Sequence, residues 1–124
     1  MIRQAGDRVI HVVQGEHAIS DSPDVVLTTV LGSCVSACIM DAERGIGGLN
    51  HFLLPDAGPG GPDIRYAAAA MEVLVNGLMR RGAVRGRMRA KLFGGALMMA
   101  GLPDIGQRNA HAARRFLQDE GIAL

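Results

Sequence analysis

Hydrophobic residues are concentrated in short segments in the first half of the chain. β-Branched and other apolar residues dominate residues 8–14, 25–31, 34–41 and 46–54, and Gly, Pro, Asp and Ser bound these segments. Segments of this length and composition are typical of β-strands. The short polar stretch 41–45 ends in Gly, and it predicts that the third and fourth strands form a β-hairpin.

The second half of the chain has a helical pattern. Residues 55–62 are rich in Gly and Pro and are predicted to be a surface loop. After the candidate N-cap Asp63, apolar residues recur every three or four positions up to Gly82, which predicts an amphipathic helix with Gly82 at its C-terminal cap. A further strand is predicted at 89–93, and a second helix at 109–120.

Length and composition limit the class of protein. A chain of 124 residues suits one domain with one hydrophobic core. Its net charge of +1 does not indicate a nucleic-acid partner. The apolar runs are shorter than the roughly 18 residues of a membrane span, and the N-terminal region lacks the apolar core of a signal peptide. We therefore expect a cytoplasmic protein without membrane insertion.

Candidate chemistry is concentrated around the predicted hairpin. Cys34 follows Gly32 and Ser33 at a turn, where backbone N–H groups can point toward a developing oxyanion. In a tight hairpin, His51 lies within a residue or two of the position opposite Cys34, so a thiol and a base could meet there. Cys38 lies inside an apolar run and is interpreted as a buried core residue.

Other interpretations of these residues stay open. A single Cys is more often a small buried hydrophobic residue than a nucleophile, and a strand histidine can be purely structural. A metal site made of Cys34, Cys38 and His51 is disfavoured, because cysteines four apart on a strand do not converge on one ion and no fourth ligand is evident. The same spacing separates the two cysteines by about 13 Å, so reduced thiols are predicted rather than a disulfide.

Several motifs together resemble one protein family. They are Thr-Thr-Val-Leu-Gly-Ser-Cys at 28–34, Gly-Ile-Gly-Gly-Leu-Asn-His-Phe-Leu-Leu-Pro at 45–55, Arg65-Tyr66, Phe93-Gly94-Gly95-Ala96 and Ile105-Gly106-Gln107-Arg108-Asn109. In this order they resemble the chemoreceptor glutamine deamidases of the CheD type, from about Val9 to the end of the chain. The resemblance implies a bacterial, cytoplasmic chemotaxis enzyme that hydrolyses glutamine side chains of receptors to glutamate, with no metal or organic cofactor.

The resemblance also implies roles for individual residues. Cys34 matches the nucleophile, His51 the general base, and Thr28 the residue that orients the histidine. Strand alternation puts Thr28 and Thr29 on opposite faces, so only one of them can take that role. The residues expected at the oxyanion site are Gly32 and Ser33, and those expected to support the site or bind substrate are Asn50, Gly94, Gly95, Arg108 and Asn109.

The fold implied by the resemblance is α+β. It is a mixed β-sandwich flanked by helices, in α/β/β/α layers, similar to toxin-type cysteine deamidases. Family members usually continue beyond the helix that ends here at Gly121, so residues 1–124 are expected to form one glutamine deamidase domain that is short at its C-terminus. An uncovered strand edge, lower stability and low activity would follow, unless a homodimer covers the edge.

Three functional alternatives remain at this point. The partners implied are the cytoplasmic domains of chemoreceptors and a CheC-type phosphatase, so the protein could act as a regulatory partner of that phosphatase with little catalysis. A cysteine deamidase with another protein substrate would have the same nucleophile and base. The same chemistry could also open a glutamate methyl ester.

Overall fold

A computed structural model describes residues 8–32, 34–53, 64–94 and 105–124, without the side chains of 64–66 and 105–110. The strands are β1 (Arg8–His11), β2 (His17–Ser20), β3 (Val25–Thr28), β4 (Val35–Asp41), β5 (Ile46–Asn50) and β6 (Arg89–Gly94). The helices are α1 (Ile64–Arg80) and α2 (Ile105–Asp119), with a 3-10 helix at Arg85–Arg87. Within these ranges, no helix is long and apolar enough to cross a membrane.

The larger sheet has four strands in the order β2-β5-β4-β6, and each neighbouring pair is antiparallel. The predicted hairpin is confirmed: Asp41 pairs with Ile46, and a four-residue loop, 42–45, joins β4 to β5. β2 was not predicted, because His17 and Ser20 interrupt the apolar pattern. It forms as the outer strand beside β5, where Ala18 pairs with Leu49.

A second, two-stranded sheet pairs β1 with β3 in parallel. It lies over the face of the larger sheet that carries Cys38 and Leu49, and a cavity of about 250 Å³ between the sheets is lined by Val26, Cys38 and Leu49 among others. β1 ends at His11 rather than at the predicted residue 14. The chain leaves the sheet there because residues 13–16 turn toward the hairpin.

Both described helices pack on the opposite face of the larger sheet. Every second residue of β4 faces them, and the resulting core includes Val35, Ala37, Ile39, Met71, Leu74, Leu78, Ala113 and Leu117. The described residues therefore form an α+β fold with helices, large sheet and small sheet in that order. The predicted α/β/β/α layering has helices on both outer faces, whereas the two described helices lie on one face of the larger sheet. The two amphipathic helices share the face of β4 that carries Val35, Ala37 and Ile39, and the small sheet covers the other face.

The helix ends follow the sequence pattern closely. After α1, Gly82 has a positive φ of 103°, and Ala83 N–H donates to the Leu78 carbonyl at 3.0 Å, so the predicted glycine cap is confirmed. α2 begins four residues before the predicted residue 109 and ends at a similar cap, in which Ile122 N–H donates to the Leu117 carbonyl at 2.9 Å. The candidate N-cap Asp63 and the loop 55–62 lie outside the described residues.

Candidate active site

The open end of the hairpin brings Cys34 close to His51. Val35 and Phe52 form a bridge with two backbone hydrogen bonds of 2.9 Å each, so Cys34 lies opposite Leu53, and His51 comes two residues before Leu53 in the chain. Val35 and Phe52 are buried against the helices. Strand alternation therefore turns Cys34 and His51 together toward the other face, where β3 lies.

The Cys34 thiol is partly exposed and, among the described residues, has one hydrogen-bond partner. It donates to Oε1 of Gln14 across 3.8 Å, a long contact for sulfur. Cys34 and His51, both described, form no hydrogen bond with each other, and burial raises the pKa of the thiol. Both observations favour the protonated thiol over the thiolate.

His51 is held by a short relay of hydrogen bonds. Its side chain is 8% exposed, and its Nδ1 lies 2.8 Å from Oγ1 of Thr29. The Thr29 hydroxyl donates its single proton to the Val12 carbonyl, at 2.6 Å. Thr29 can therefore only accept from the histidine, so the proton of the neutral ring is on Nδ1 and the lone pair is on Nε2. This is the tautomer in which Nε2 can act as a base.

The residue that contacts His51 is thus Thr29, and the prediction of Thr28 for that contact is wrong in this structure. The two threonines do lie on opposite faces, as alternation requires, but the sheet register decides which of them faces the histidine. His11 pairs with Thr28 at the end of β3, and Val12 N–H then donates to the Thr28 carbonyl at 2.8 Å. This pairing places the following residue, Thr29, between Val12 and His51.

A turn at residues 13–16 fixes the backbone around His51. Gly15 N–H donates to the His51 carbonyl at 2.8 Å, and His51 N–H donates to the Glu16 carbonyl at 3.1 Å. The same turn closes on itself through a bond from Glu16 N–H to the Val13 carbonyl at 3.0 Å. The histidine is therefore held both through its ring and through its main chain. A cavity of about 200 Å³ beside it is lined by His51, Gly15 and residues of α1, among others.

Two of the predicted supporting residues have clear structural surroundings. Gly94 pairs with Val35 at a φ of +93°, and a Cβ at this position would collide with the Cys34 carbonyl oxygen. Asn50 is 2% exposed and faces the core, where its Oδ1 accepts from Ala37 N–H at 2.8 Å. Gly94 therefore leaves room for the backbone of Cys34, whereas Asn50 ties β5 to β4 and also lines the cavity beside His51.

The remaining predicted residues are only partly described. Gly32 lies in a bend two residues before Cys34. Ser33 and Gly95 lie outside the described residues. Arg108 and Asn109 fall in the first part of α2, and their side chains are not among those described. In the described part of the chain, no group of three or more His, Cys, Asp or Glu side chains is arranged to hold a metal ion, and both cysteines are free thiols.

Two residues near the site were not found from the sequence. Gln14 is twenty positions before Cys34, and no motif connects the two residues. Ser36 lies opposite His51 in the register of β4 and β5; it is fully buried, and its hydroxyl has no hydrogen-bond partner among the described residues. Ser36 lies inside an apolar strand segment, and that sequence pattern does not indicate that its hydroxyl is buried beside the candidate site.

Comparison with known proteins agrees with this picture. A family model described as "CheD chemotactic sensory transduction" matches residues 53–124. A Caulobacter vibrioides protein called "Probable chemoreceptor glutamine deamidase CheD" is 57% identical over 118 residues, which cover 93% of this chain and 63% of that protein. A Rhizobium meliloti protein of the same name is 48% identical over 128 residues, covering 100% of this chain and 70% of the relative. The chain therefore belongs to the CheD family.

Two further findings define the extent of the match. The chain spans less than two thirds of the length of its first curated relatives, for example 64% of an Acidiphilium cryptum protein with the same name, at 55% identity over 94% of this chain. A solved structure described as "Crystal structure of Bacillus licheniformis hypothetical protein YfiH" superposes with a TM-score of 0.59 at 16% identity, covering 97% of this chain and 58% of that one. That likeness concerns the fold alone.

Proposed function

We propose that the protein hydrolyses glutamine side chains of chemoreceptors to glutamate, with Cys34 as the nucleophile and His51 as the general base. Family membership and the names of the relatives support the substrate class. The observation that carries the chemistry is the relay from Val12 through Thr29 to His51. It leaves Nε2 of the histidine unprotonated on the face of the sheet that also carries Cys34.

The first step is activation of the thiol. Because burial raises the pKa of Cys34, little thiolate is present at neutral pH, and a base must remove the proton as attack begins. The S–H proton that Gln14 accepts in the resting state passes to Nε2 of His51. Thr29 then accepts from Nδ1–H and holds the imidazolium in place.

The second step forms a thioester. Sγ attacks the carbonyl carbon of the substrate glutamine, and backbone N–H groups near Gly32 to Cys34 stabilise the oxyanion. The imidazolium of His51 donates its Nε2 proton to the departing nitrogen, and ammonia leaves. A carboxamide has a poor leaving group, so this protonation is as important as the nucleophile itself.

The third step restores the enzyme. His51 takes a proton from water, the resulting hydroxide attacks the thioester, and glutamate and the Cys34 thiol are released. The net reaction converts glutamine and water to glutamate and ammonia. A glutamate methyl ester would pass through the same thioester, with methanol as the leaving group.

We assign the other predicted residues to supporting roles. Ser33 would contribute a backbone donor beside Gly32, and Gly95, Arg108 and Asn109 would lie toward the substrate. A CheC-type phosphatase is proposed as a second partner beside the receptor cytoplasmic domains. Similarity to toxin-type cysteine deamidases stays a prediction.

The decisive experiment is incubation with purified receptor cytoplasmic domains, with mass spectrometry to locate glutamines that become glutamate. We expect conversion with the wild-type chain and none with Cys34→Ala. Binding of a CheC-type phosphatase without any conversion would instead favour the regulatory role. Conversion of other proteins but not receptors would change the substrate class and keep the mechanism.

A further inference from the structure

The side chain of Gln14 reaches the candidate nucleophile from a rigid turn. Gln14 and Gly15 are the two central residues of the turn at 13–16, which closes with the bond from Glu16 N–H to the Val13 carbonyl. Gly15 has a φ of +87°, the left-handed value that the third position of a type II turn requires. The sequence Gln-Gly therefore places Gln14 at the second position, where its side chain projects away from the turn.

The turn and the residue before it are hydrogen-bonded to His51 and Thr29. Its main chain exchanges two hydrogen bonds with His51, and the residue before it, Val12, accepts the proton of Thr29. The position of Gln14 is thus set relative to His51. From there its carboxamide extends to within 3.8 Å of Cys34 Sγ, although the side chain is exposed and has no other described contact that would hold it there.

A carboxamide can serve two states of the reaction in turn. It has one carbonyl acceptor and an NH2 group with two donors, and rotation of the last torsion exchanges them. Against the resting thiol, Oε1 accepts from S–H. When Sγ bonds to a carbonyl carbon, the oxygen of that carbonyl becomes an oxyanion. A hydrogen-bond donor about 3 Å from this oxygen stabilises it. An amide next to Sγ can reach this position without moving the turn.

We propose that Gln14 is a catalytic residue whose Nε2–H donates to the oxyanion on the carbon attacked by Cys34. This inference rests on the proposed function only in requiring attack by Cys34 on a carbonyl. The uncharged amide suits the role because it does not repel the oxyanion and leaves the thiol protonated until substrate arrives. No covalent bond to Gln14 forms or breaks.

The test compares Gln14→Met, Gln14→Glu and a control in the same turn, Val13→Thr. Gln14→Met keeps the length of the side chain and removes the donor, and Gln14→Glu replaces the donor with a negative charge. Two reactions of Cys34 are measured on each protein. Acylation by p-nitrophenyl acetate passes through an oxyanion, whereas alkylation by iodoacetamide is a direct displacement without one. For receptor deamidation, kcat and KM are measured separately.

We expect Gln14→Met to lower kcat and the acylation rate about 10²-fold, as loss of one oxyanion donor does, with KM nearly unchanged. Alkylation by iodoacetamide should stay within about twofold of wild type, since no oxyanion forms. Gln14→Glu should be slower still in acylation, and Val13→Thr should behave as wild type.

Three outcomes would overturn the inference. Unchanged or faster acylation in Gln14→Met would mean that the amide contributes nothing or obstructs the substrate. An equal loss in alkylation and acylation would mean that Gln14 acts only on the thiol. A wild-type Cys34 that p-nitrophenyl acetate does not acylate would remove the intermediate altogether. If acylation behaves as expected but receptors are not deamidated, the proposed substrate fails and the role of Gln14 stands.

Discussion

The two ends of the β4–β5 hairpin both carry polar residues, but the two polar clusters are built differently. At the loop end, the fully buried carboxylate of Asp41 accepts from Arg87 Nε and Nη2 at 3.1–3.2 Å, from Val84 N–H at 2.8 Å and from Arg44 N–H at 3.3 Å. The hydrogen bond from Arg87 is the main cause that lowers the pKa of Asp41 to about 2. At the open end, Nε2 of His51 has no hydrogen-bond partner among the described residues, and the Cys34 thiol has only the long contact with Gln14.

The difference separates a structural cluster from a chemical one. At the loop end, every acceptor site of the Asp41 carboxylate already accepts a hydrogen bond. The carboxylate can therefore stabilise the fold, but it has no acceptor left for a substrate. At the open end, the described residues leave Nε2 of the buried His51 and the partly exposed Cys34 thiol available for a substrate. The clusters lie about 23 Å apart along the strand, by the rise of an extended chain. Substitutions at one end should therefore change activity, and at the other end stability.

The largest effect is expected at Cys34, the proposed nucleophile. Cys34→Ala should lower deamidation by several orders of magnitude, because no other group in the site can form the thioester. Cys38→Ala is the matched control on the same face of β4. It should keep most of the activity and lose about 1 kcal/mol of unfolding free energy through lost packing. Deamidation by mass spectrometry and thermal unfolding are measured together, and turnover retained in Cys34→Ala would contradict the assignment.

The next largest effect concerns the relay to His51. His51→Ala should approach the loss seen for Cys34→Ala. Thr29→Val should lower kcat about 10- to 100-fold, because the histidine loses the acceptor that fixes its tautomer and position. Thr28→Val keeps this acceptor and should stay near wild type.

The pair Thr29→Val and Thr28→Val also decides between the two threonines. If Thr28→Val is the damaging change and Thr29→Val is neutral, the contact that orients His51 in solution is the one expected from the family motif. Nitrogen chemical shifts of the His51 ring provide a second measurement. They should report a proton on Nδ1 in the wild-type protein and a mixture of tautomers in Thr29→Val.

A smaller effect on activity is expected from the backbone beside Cys34. In Gly94→Ala, the new methyl group would collide with the Cys34 carbonyl oxygen. The alanine would also have to keep a positive φ, which residues with a side chain rarely adopt. We expect about a tenfold loss of kcat and a free energy of unfolding lower by about 1–3 kcal/mol. Gly86→Ala is the matched control, because nothing lies within 4 Å of its Cβ position. Equal behaviour of the two variants would contradict the close approach of β6 to Cys34.

The smallest effect on activity, and a distinct effect on stability, is expected at Asp41. Its pKa is about 2 in the folded protein and near 3.8 in an unfolded chain, so the unfolded state binds more protons between these values. The stabilisation is complete above about pH 4 and is lost as the pH falls through about 2. Asp41→Asn should lower the melting temperature at neutral pH and remove this part of the acid dependence, with kcat unchanged.

The control for Asp41 is Glu43→Gln, which removes an exposed carboxylate near the same arginine, Arg87. It should leave both the melting temperature and the acid dependence nearly as in wild type. The measurement is denaturant unfolding at several pH values from 2 to 6. An acid dependence that persists unchanged in Asp41→Asn would show that other carboxylates cause it.

Local patterns were sufficient for most of the fold elements. The hairpin, the amphipathic face of α1 and the glycine caps depend on residues close in sequence, and all were predicted. β2 was missed because a strand of His, Ala, Ile and Ser is stabilised by its neighbour β5 rather than by its own composition. The layer order could not be predicted from local patterns either, since it depends on which face of the large sheet each helix covers; the two described helices share one face.

For the site, the sequence by itself determined the chemical inventory: a thiol after a glycine turn, a histidine on the returning strand, and two adjacent threonines of which one could orient it. Only the tertiary structure decided that Thr29 faces His51 and that Gln14 faces Cys34. These contacts span 22 and 20 residues. They follow from the register of β1 against β3 and from the turn at 13–16, and a shift of one residue in either would turn the opposite side chain toward the site.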